Sequence, residues 1–348
     1  MKIGFYSPYI DTLGGGERYT LTLASHWSRE HSVSVFWDDP LILRQAQERF
    51  DLDLSHVKVV PNIFFHDPLI SKIFLTSQYD LIFSLSDGSI PTSCATHNLL
   101  HFQVPFQHVS FPFWKKMHLR KIICNSEFTK HAIDPSVGKD ACVIYPPVDI
   151  EKFTFGKKEK TIFSVGRFSS FFQTKKQEVL IDIFSDGVKQ GILKDWKLVL
   201  AGGLLPSDKH YFETLESKVK GLPITLIPNI SFDRLKTIYS TSLIYWHAAG
   251  FGETDPTHME HFGITTVEAI ASGCIPVVYN AGGQPEIVQH EKNGYLWKTS
   301  EECLKYTGDI IRSKKLQQLL QNVGGETIKE FSVARFCERF DNILEEIA

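Results

Sequence analysis

Met259-Glu260-His261-Phe262-Gly263-Ile264-Thr265-Thr266-Val267-Glu268-Ala269 sets two carboxylates eight positions apart, with a Phe-Gly break between them. The run that follows, Ile270-Ala271-Ser272-Gly273, closes a short helical pattern on a glycine. Glu260 therefore belongs to a loop in front of a helix N-terminus, and Glu268 to the helix itself, about one turn in. First-turn N–H groups at Gly263, Ile264 and Thr265 lack helical partners and favour a bound phosphate. Carboxylates that read hydroxyls, beside amides that bind phosphate, suit a nucleotide-sugar. Short apolar runs flank the motif at 243–246 and 275–279, so the unit reads strand, loop, helix, strand.

The same alternation runs through the whole chain and marks parallel sheets with crossover helices. In the first half, strands are expected at 2–6, 32–37, 57–60, 81–85, 99–102 and 121–125. A helix is expected at 17–29, where Tyr19, Leu23 and Trp27 repeat at helical spacing. The pattern restarts with strands at 161–165, 197–201, 224–227, 243–246 and 275–279, and a helix near 177–186. At 348 residues the chain exceeds the size at which one core keeps growing. We expect two doubly wound Rossmann-like α/β domains, 1–150 and 151–331, with ligands at the carboxyl ends of the strands. Tyr145-Pro146-Pro147-Val148-Asp149 is the boundary, because paired prolines stop helix and strand alike. Phe336, Phe340 and Leu344 repeat at helical spacing in the last stretch.

Composition narrows the function. A net charge of −3 supplies no basic footprint for nucleic acid. Six scattered cysteines without a Cys-x-x-Cys pair indicate reduced thiols and a cytoplasmic setting. The N-terminus runs straight into a strand pattern rather than a signal-peptide core, and no run of about eighteen apolar residues is present. Attachment to the inner face of the membrane stays open. Phe111, Phe113 and Trp114 interleave with Lys115, Lys116, Arg120 and Lys121, a mixture that fits an anionic membrane interface or ordinary core packing.

Four other features bear on the site. Arg167 leaves the carboxyl end of the strand at 161–165, and Lys175 and Lys176 follow shortly. A guanidinium and an ammonium converging there would neutralise a diphosphate leaving group without a metal; alternatively the lysines are solvated loop charges. Gly14-Gly15-Gly16 opens the first helix, where glycines let backbone approach a ligand, but the G-x-G-x-x-G spacing is missing. His101 ends an apolar strand, where a packed core histidine is the plain alternative and His97 a rival candidate. Gly282-Gly283 reads first as a tight turn, with Pro285 at a helix start. Asp38-Asp39, and His258 with His261 around Glu260, do not have metal-ligand spacing, so no metal is expected.

The Glu-x7-Glu spacing of Glu260 and Glu268 resembles that of the retaining glycosyltransferases of family 4, which have the GT-B fold. Val165-Gly166-Arg167-Phe168 with a following Lys resembles the family's phosphate-binding Arg and Lys, and Lys175 is favoured over Lys176 by counting back from Val179-Leu180-Ile181. The resemblance implies two Rossmann-like domains facing a deep interdomain cleft, the first on the acceptor side and the second holding the donor. It implies that the final helix, 332–348, packs back on the first domain. It places Gly15, Gly16 and His101 near the donor, Phe262, Gly263, Ile264 and Thr265 around its phosphates, Glu268 on the ribose and Glu260 on the sugar. It implies a nucleotide diphosphate sugar as donor, GDP-mannose or a UDP-sugar, with no cofactor and no metal, and a glycan or lipid-linked acceptor. Locally the motifs are nearest to mannosyltransferases that build lipid-linked oligosaccharides. Two other readings stay open: a sugar-nucleotide epimerase of the same architecture, and a non-catalytic partner protein with a degenerate donor site.

Overall fold

The computed structural model describes residues 1–110, 112, 115, 118–171 and 174–347. The chain forms two compact units, one of Met1–Pro147 with Val333–Ala348 and the other of Val148–Ser332. The membrane-interface expectation rests on Phe111, Phe113 and Trp114, which lie outside the described residues.

Unit 1 is built on β1 (Lys2–Tyr6), β2 (Ser32–Phe36), β3 (Lys58–Val60), β4 (Leu81–Leu85), β5 (His97–Phe102), β6 (Leu119–Cys124) and β7 (Ala141–Val143). They pair in the order 3-2-1-4-5-6-7, every pair parallel. Unit 2 repeats the plan with β8 (Glu159–Val165), β9 (Lys197–Gly202), β10 (Ile224–Pro228), β11 (Ser242–His247), β12 (Ile275–Tyr279) and β13 (Tyr295–Trp297). Its order is 10-9-8-11-12-13, again all parallel. Crossover helices cover both faces of such sheets, so central strands are apolar throughout rather than alternating. Leu81-Ile82-Phe83-Ser84-Leu85 and Ser242-Leu243-Ile244-Tyr245-Trp246-His247 are accordingly buried along their full length. The sheets and their crossovers are the doubly wound architecture that the alternating pattern predicted.

The first helix, Gly15–Trp27, starts at a capping box in which Glu17 Oε2 accepts the Gly14 N–H at 2.9 Å and the Thr12 hydroxyl at 2.8 Å. Its stripe of Tyr19, Leu23 and Trp27 is buried in the unit 1 core, which also takes in the last helix, Val333–Ile347. Phe340 is fully buried there, with its ring edge-on to Trp27 at 5.9 Å and to Phe83 at 5.9 Å. Asp341 accepts hydrogen bonds from Trp27 Nε1 at 3.0 Å and His26 Nε2 at 2.8 Å.

His101 lies among the buried residues of this unit. It is fully buried, with the Tyr19 ring stacked on it at 3.9 Å and Phe83 at 5.9 Å. His97, the rival, begins β5 at the opposite end of the strand. Among the described residues, neither nitrogen of His101 has a conventional hydrogen-bond partner, and burial pulls its pKa down to about 3, against a lesser opposing effect of the Ile123 backbone. At pH 7 the folded ring is neutral and the unfolded one mostly so, and its contribution to pH dependence there is small. Below about 6.5 the unfolded ring takes up a proton that the folded one refuses until about pH 3, so acid favours unfolding by up to about 1.4 kcal/mol per pH unit. His101→Phe should therefore flatten the fall of melting temperature between pH 6 and 4. Parallel curves for variant and wild type would show that another group sets the acid limit.

All six cysteines are free thiols. Among the described residues, no helix is long and apolar enough to cross a membrane, and no group of three or more His, Cys, Asp or Glu side chains is arranged to hold a metal ion.

Candidate active site

In unit 2 the two central strands β8 and β11 end side by side, and the loops after them carry the candidate residues. Past β8, Gly166 precedes the exposed Arg167. A side chain at Gly166 would collide with the stem of Lys175, so Lys175 lies across the end of the strand. Gln177, the first residue of the helix Gln177–Lys189, fastens that arrangement. Its buried amide donates to the carbonyls of Arg167 at 2.9 Å and Gly166 at 3.3 Å. The two cationic segments are thus tied together by hydrogen bonds from the Gln177 side chain to the backbone.

Lys175 Nζ then reaches Glu260 Oε2 at 2.7 Å, and both side chains are only 17% exposed. The last residue of β11, His247, places Nε2 3.0 Å from the same oxygen. Burial alone would raise the Glu260 pKa, but the Lys175 ammonium and the His247 ring reverse that and hold the carboxyl well below its usual range. Glu260 is therefore ionised at neutral pH. Lys176 turns the other way: its backbone is left-handed (φ 52°), and its Nζ pairs with Glu253 Oε1 at 2.6 Å.

The loop backbone is clamped from behind by Gly282 and Gly283. Gly283 N–H donates to the Glu260 carbonyl at 2.8 Å. Gly282 has φ 63°, and a Cβ there would strike that carbonyl, so both the conformation and the contact require glycine. Gly263 caps the helix Ile264–Ala271 with φ 117°, another conformation reserved for glycine. Thr266 and Val267 N–H groups bond back to its carbonyl, leaving the first-turn amides of Gly263, Ile264 and Thr265 ahead of the intrahelical bonds. Phe262 is buried with its ring edge-on to Phe331 at 5.3 Å.

Glu268 sits deeper, only 6% exposed, on the buried face of the helix. Tyr239 OH donates to its Oε2 at 3.4 Å and to the Thr265 carbonyl at 3.1 Å, and Tyr245 OH donates to Thr265 Oγ1 at 2.8 Å. His261, between the two motif carboxylates, is buried, and burial lowers its pKa to about 4, so it is neutral at pH 7.

Unit 2 thus gathers Arg167, Lys175, Glu260, Phe262, Gly263, Ile264, Thr265 and Glu268 on the loops and helix past its strand ends. Gly15, Gly16 and His101 belong to unit 1. Gly15 is exposed at the first helical turn, whereas Gly16 is buried where a side chain would strike Gln103. Sequence reasoning missed His247 and Glu253 and gave Gly282 and Gly283 too little weight. For His247 a signal existed, since it stands at the carboxyl end of a central strand, where this architecture puts ligand-facing groups.

The family model described as glycosyl transferases group 1 matches residues 147–326. The chain belongs to that family. A second family model, glycosyltransferase family 4, matches residues 13–152. A GDP-Man:Man(3)GlcNAc(2)-PP-Dol alpha-1,2-mannosyltransferase of Dictyostelium discoideum is 28% identical over 220 residues, covering 58% of this chain and 42% of its own. The Homo sapiens protein of the same description is 26% identical over 259 residues, covering 65% and 48%. The chain spans about half the length of these curated relatives. Among solved structures, a glycosyltransferase from Rickettsia africae matches with a TM-score of 0.76 at 18% identity, over 99% of this chain and 98% of that one. Anabaena HepE in complex with UDP matches with a TM-score of 0.74 at 20% identity, over 99% and 100%. At these identities the likeness carries the fold, the GT-B class of two Rossmann-like sheets.

Proposed function

We propose that this family member is a retaining, metal-independent hexosyltransferase. It moves a hexose from a nucleotide diphosphate sugar to a hydroxyl of a glycan or lipid-linked acceptor. Mannose from GDP-mannose is the preferred donor reading, because the relatives carry that donor in their names; a UDP-sugar is the rival, suggested by the UDP bound to HepE. The observation that carries the proposal is the Lys175–Glu260 pair at 2.7 Å, set at the strand ends beside a helix N-terminus.

The roles follow from chemistry. Arg167 and Lys175, with the amides of Gly263, Ile264 and Thr265, balance the charge that develops on the departing diphosphate. An ammonium has three N–H donors, so Lys175 can keep Glu260 and still meet a phosphate oxygen. Glu260 accepts from donor-sugar hydroxyls and orients the anomeric carbon, and Glu268 accepts from the ribose. Phe262 shapes the floor of the site. Unit 2 is the donor side; unit 1 is the acceptor side, with Gly15 and Gly16 at its helix start. His101 contributes through packing. By family analogy, attack comes from the face the leaving group vacates, within an ion pair.

A thermal-shift screen of nucleotide-sugars tests the proposal, since a ligand that binds only the folded state raises its stability. No shift with any GDP- or UDP-sugar would remove it. Glu268→Ala should then weaken donor binding by about 1.5–3 kcal/mol, the worth of a charge-assisted hydrogen bond, and leave turnover of bound donor nearly unchanged. Unaltered affinity in calorimetry would take Glu268 out of the site.

The proposed setting is cytoplasmic, with peripheral contact at the inner face of the membrane through 111–121. Supporting it, Ile70 (80% exposed) and Phe74 (67% exposed) stand out from the unit 1 helix Leu69–Thr76. Against it, Lys121 is already paired with Glu346 at 2.8 Å. Replacing Phe113 and Trp114 by Ser should reduce binding to anionic vesicles at unchanged melting temperature. Equal binding, or a collapse in melting temperature, would mark the segment as ordinary packing.

A further inference from the structure

Glu260 is held asymmetrically. Lys175 Nζ at 2.7 Å and His247 Nε2 at 3.0 Å both end on Oε2. Among the described residues, none donates to Oε1. The His247 side chain is 2% exposed at the end of β11, with its ring stacked on Tyr245 at 6.5 Å. Its Nδ1 is enclosed and, among the described residues, has no partner. Because an ionised carboxylate only accepts hydrogen bonds, the proton facing Glu260 must sit on Nε2.

We propose that His247 is a positioning residue. It anchors Oε2 of Glu260 from within the protein, so that Oε1 is presented to a hydroxyl of the donor sugar. It keeps that hold when a donor phosphate draws on Lys175. This inference rests on the reading of unit 2 as the donor side of a glycosyltransferase. Lys175 has a flexible stem and a second duty toward phosphate, so a carboxylate held by Lys175 alone would turn once the ammonium was shared. His247 has no such second duty, and burial against Tyr245 fixes its ring. An apolar ring would fill the same space without enclosing a bare nitrogen. What the histidine adds is the Nε2–H, aimed at Glu260.

Three variants and one spectrum test this. His247→Phe keeps the volume and removes the donor; it should lower kcat by about 10–100-fold, with donor Kd within about threefold of wild type. His247→Gln, which returns an N–H near the Nε2 position, should restore most of the loss. In a Glu260→Gln background, His247→Phe should cost less than about a further twofold, because the two residues act as one unit. A full additional loss there, or unchanged turnover in the single variant, would overturn the proposal. Should His247→Phe fail to fold, His247→Gln and the ring nitrogens decide. In protein carrying 15N-histidine, His247 should be protonated at Nε2 at neutral pH, and a bare Nε2 would overturn the proposal whatever the activity. Absence of transfer by wild type with every nucleotide-sugar would instead sink the glycosyltransferase reading, and the spectrum would still judge the hold on Glu260.

Discussion

Lys175→Ala is expected to depress kcat by roughly 10²–10³ while changing donor affinity much less, the usual effect of removing one preorganised electrostatic group. The charge it meets develops only as the glycosidic bond breaks, so the loss belongs to the transition state. Lys175→Met provides the control, because it keeps the stem that lies across Gly166 and removes the ammonium alone. Arg167→Ala should behave similarly. Lys176→Ala should be much milder, since its Nζ is committed to Glu253 at 2.6 Å rather than to Glu260. If Lys176→Ala proves the severe variant, the phosphate-binding assignment moves by one position. If none of the three slows turnover, the phosphate site lies elsewhere.

Phe340→Ala should destabilise the protein by about 3–5 kcal/mol, the range for removing a fully buried phenylalanine. The cost is large because the ring meets four others, Tyr19, Trp27, Phe83 and Phe336, and the cavity would open between the final helix and the first one. Leu319→Ala, at a side chain 55% exposed, should stay within about 0.5 kcal/mol. A urea titration compares them. A loss below about 1 kcal/mol for Phe340→Ala would mean that the last helix adds little to the unit 1 core.

Strand positions were legible wherever the strand is central, because burial on both faces writes a continuous apolar run. Two strands escaped: Ala141–Val143 and Tyr295–Trp297 are three residues each and stand at the edges of their sheets. So short a run has little period to detect, although Lys58–Val60, as short and also at an edge, was read from its apolar residues. Along the site, the Glu260–Glu268 spacing announced the loop and helix directly, because both residues belong to one local segment. His247 could not be seen as a partner of Glu260, since they are 13 positions apart and meet through the loop that follows β11. His101 was open to two readings, a packed core histidine or a donor-side group, and only the fold shows that Tyr19 from the first helix stacks on its buried ring. Glycines misled in the same way. The Gly282-Gly283 turn reads as connection in sequence, yet it bears directly on the Glu260 backbone.

The most direct test of the account is to follow the anomeric proton of the transferred sugar by NMR. Purified protein would be incubated in EDTA with GDP-mannose or the donor found by the thermal-shift screen, with and without a lipid-linked glycan acceptor. The account predicts acceptor-dependent release of nucleoside diphosphate, undiminished by the chelator, and a product with the same anomeric configuration as the donor. Inverted product, turnover abolished by EDTA and restored by manganese or magnesium, or an isomerised sugar released without acceptor would contradict it.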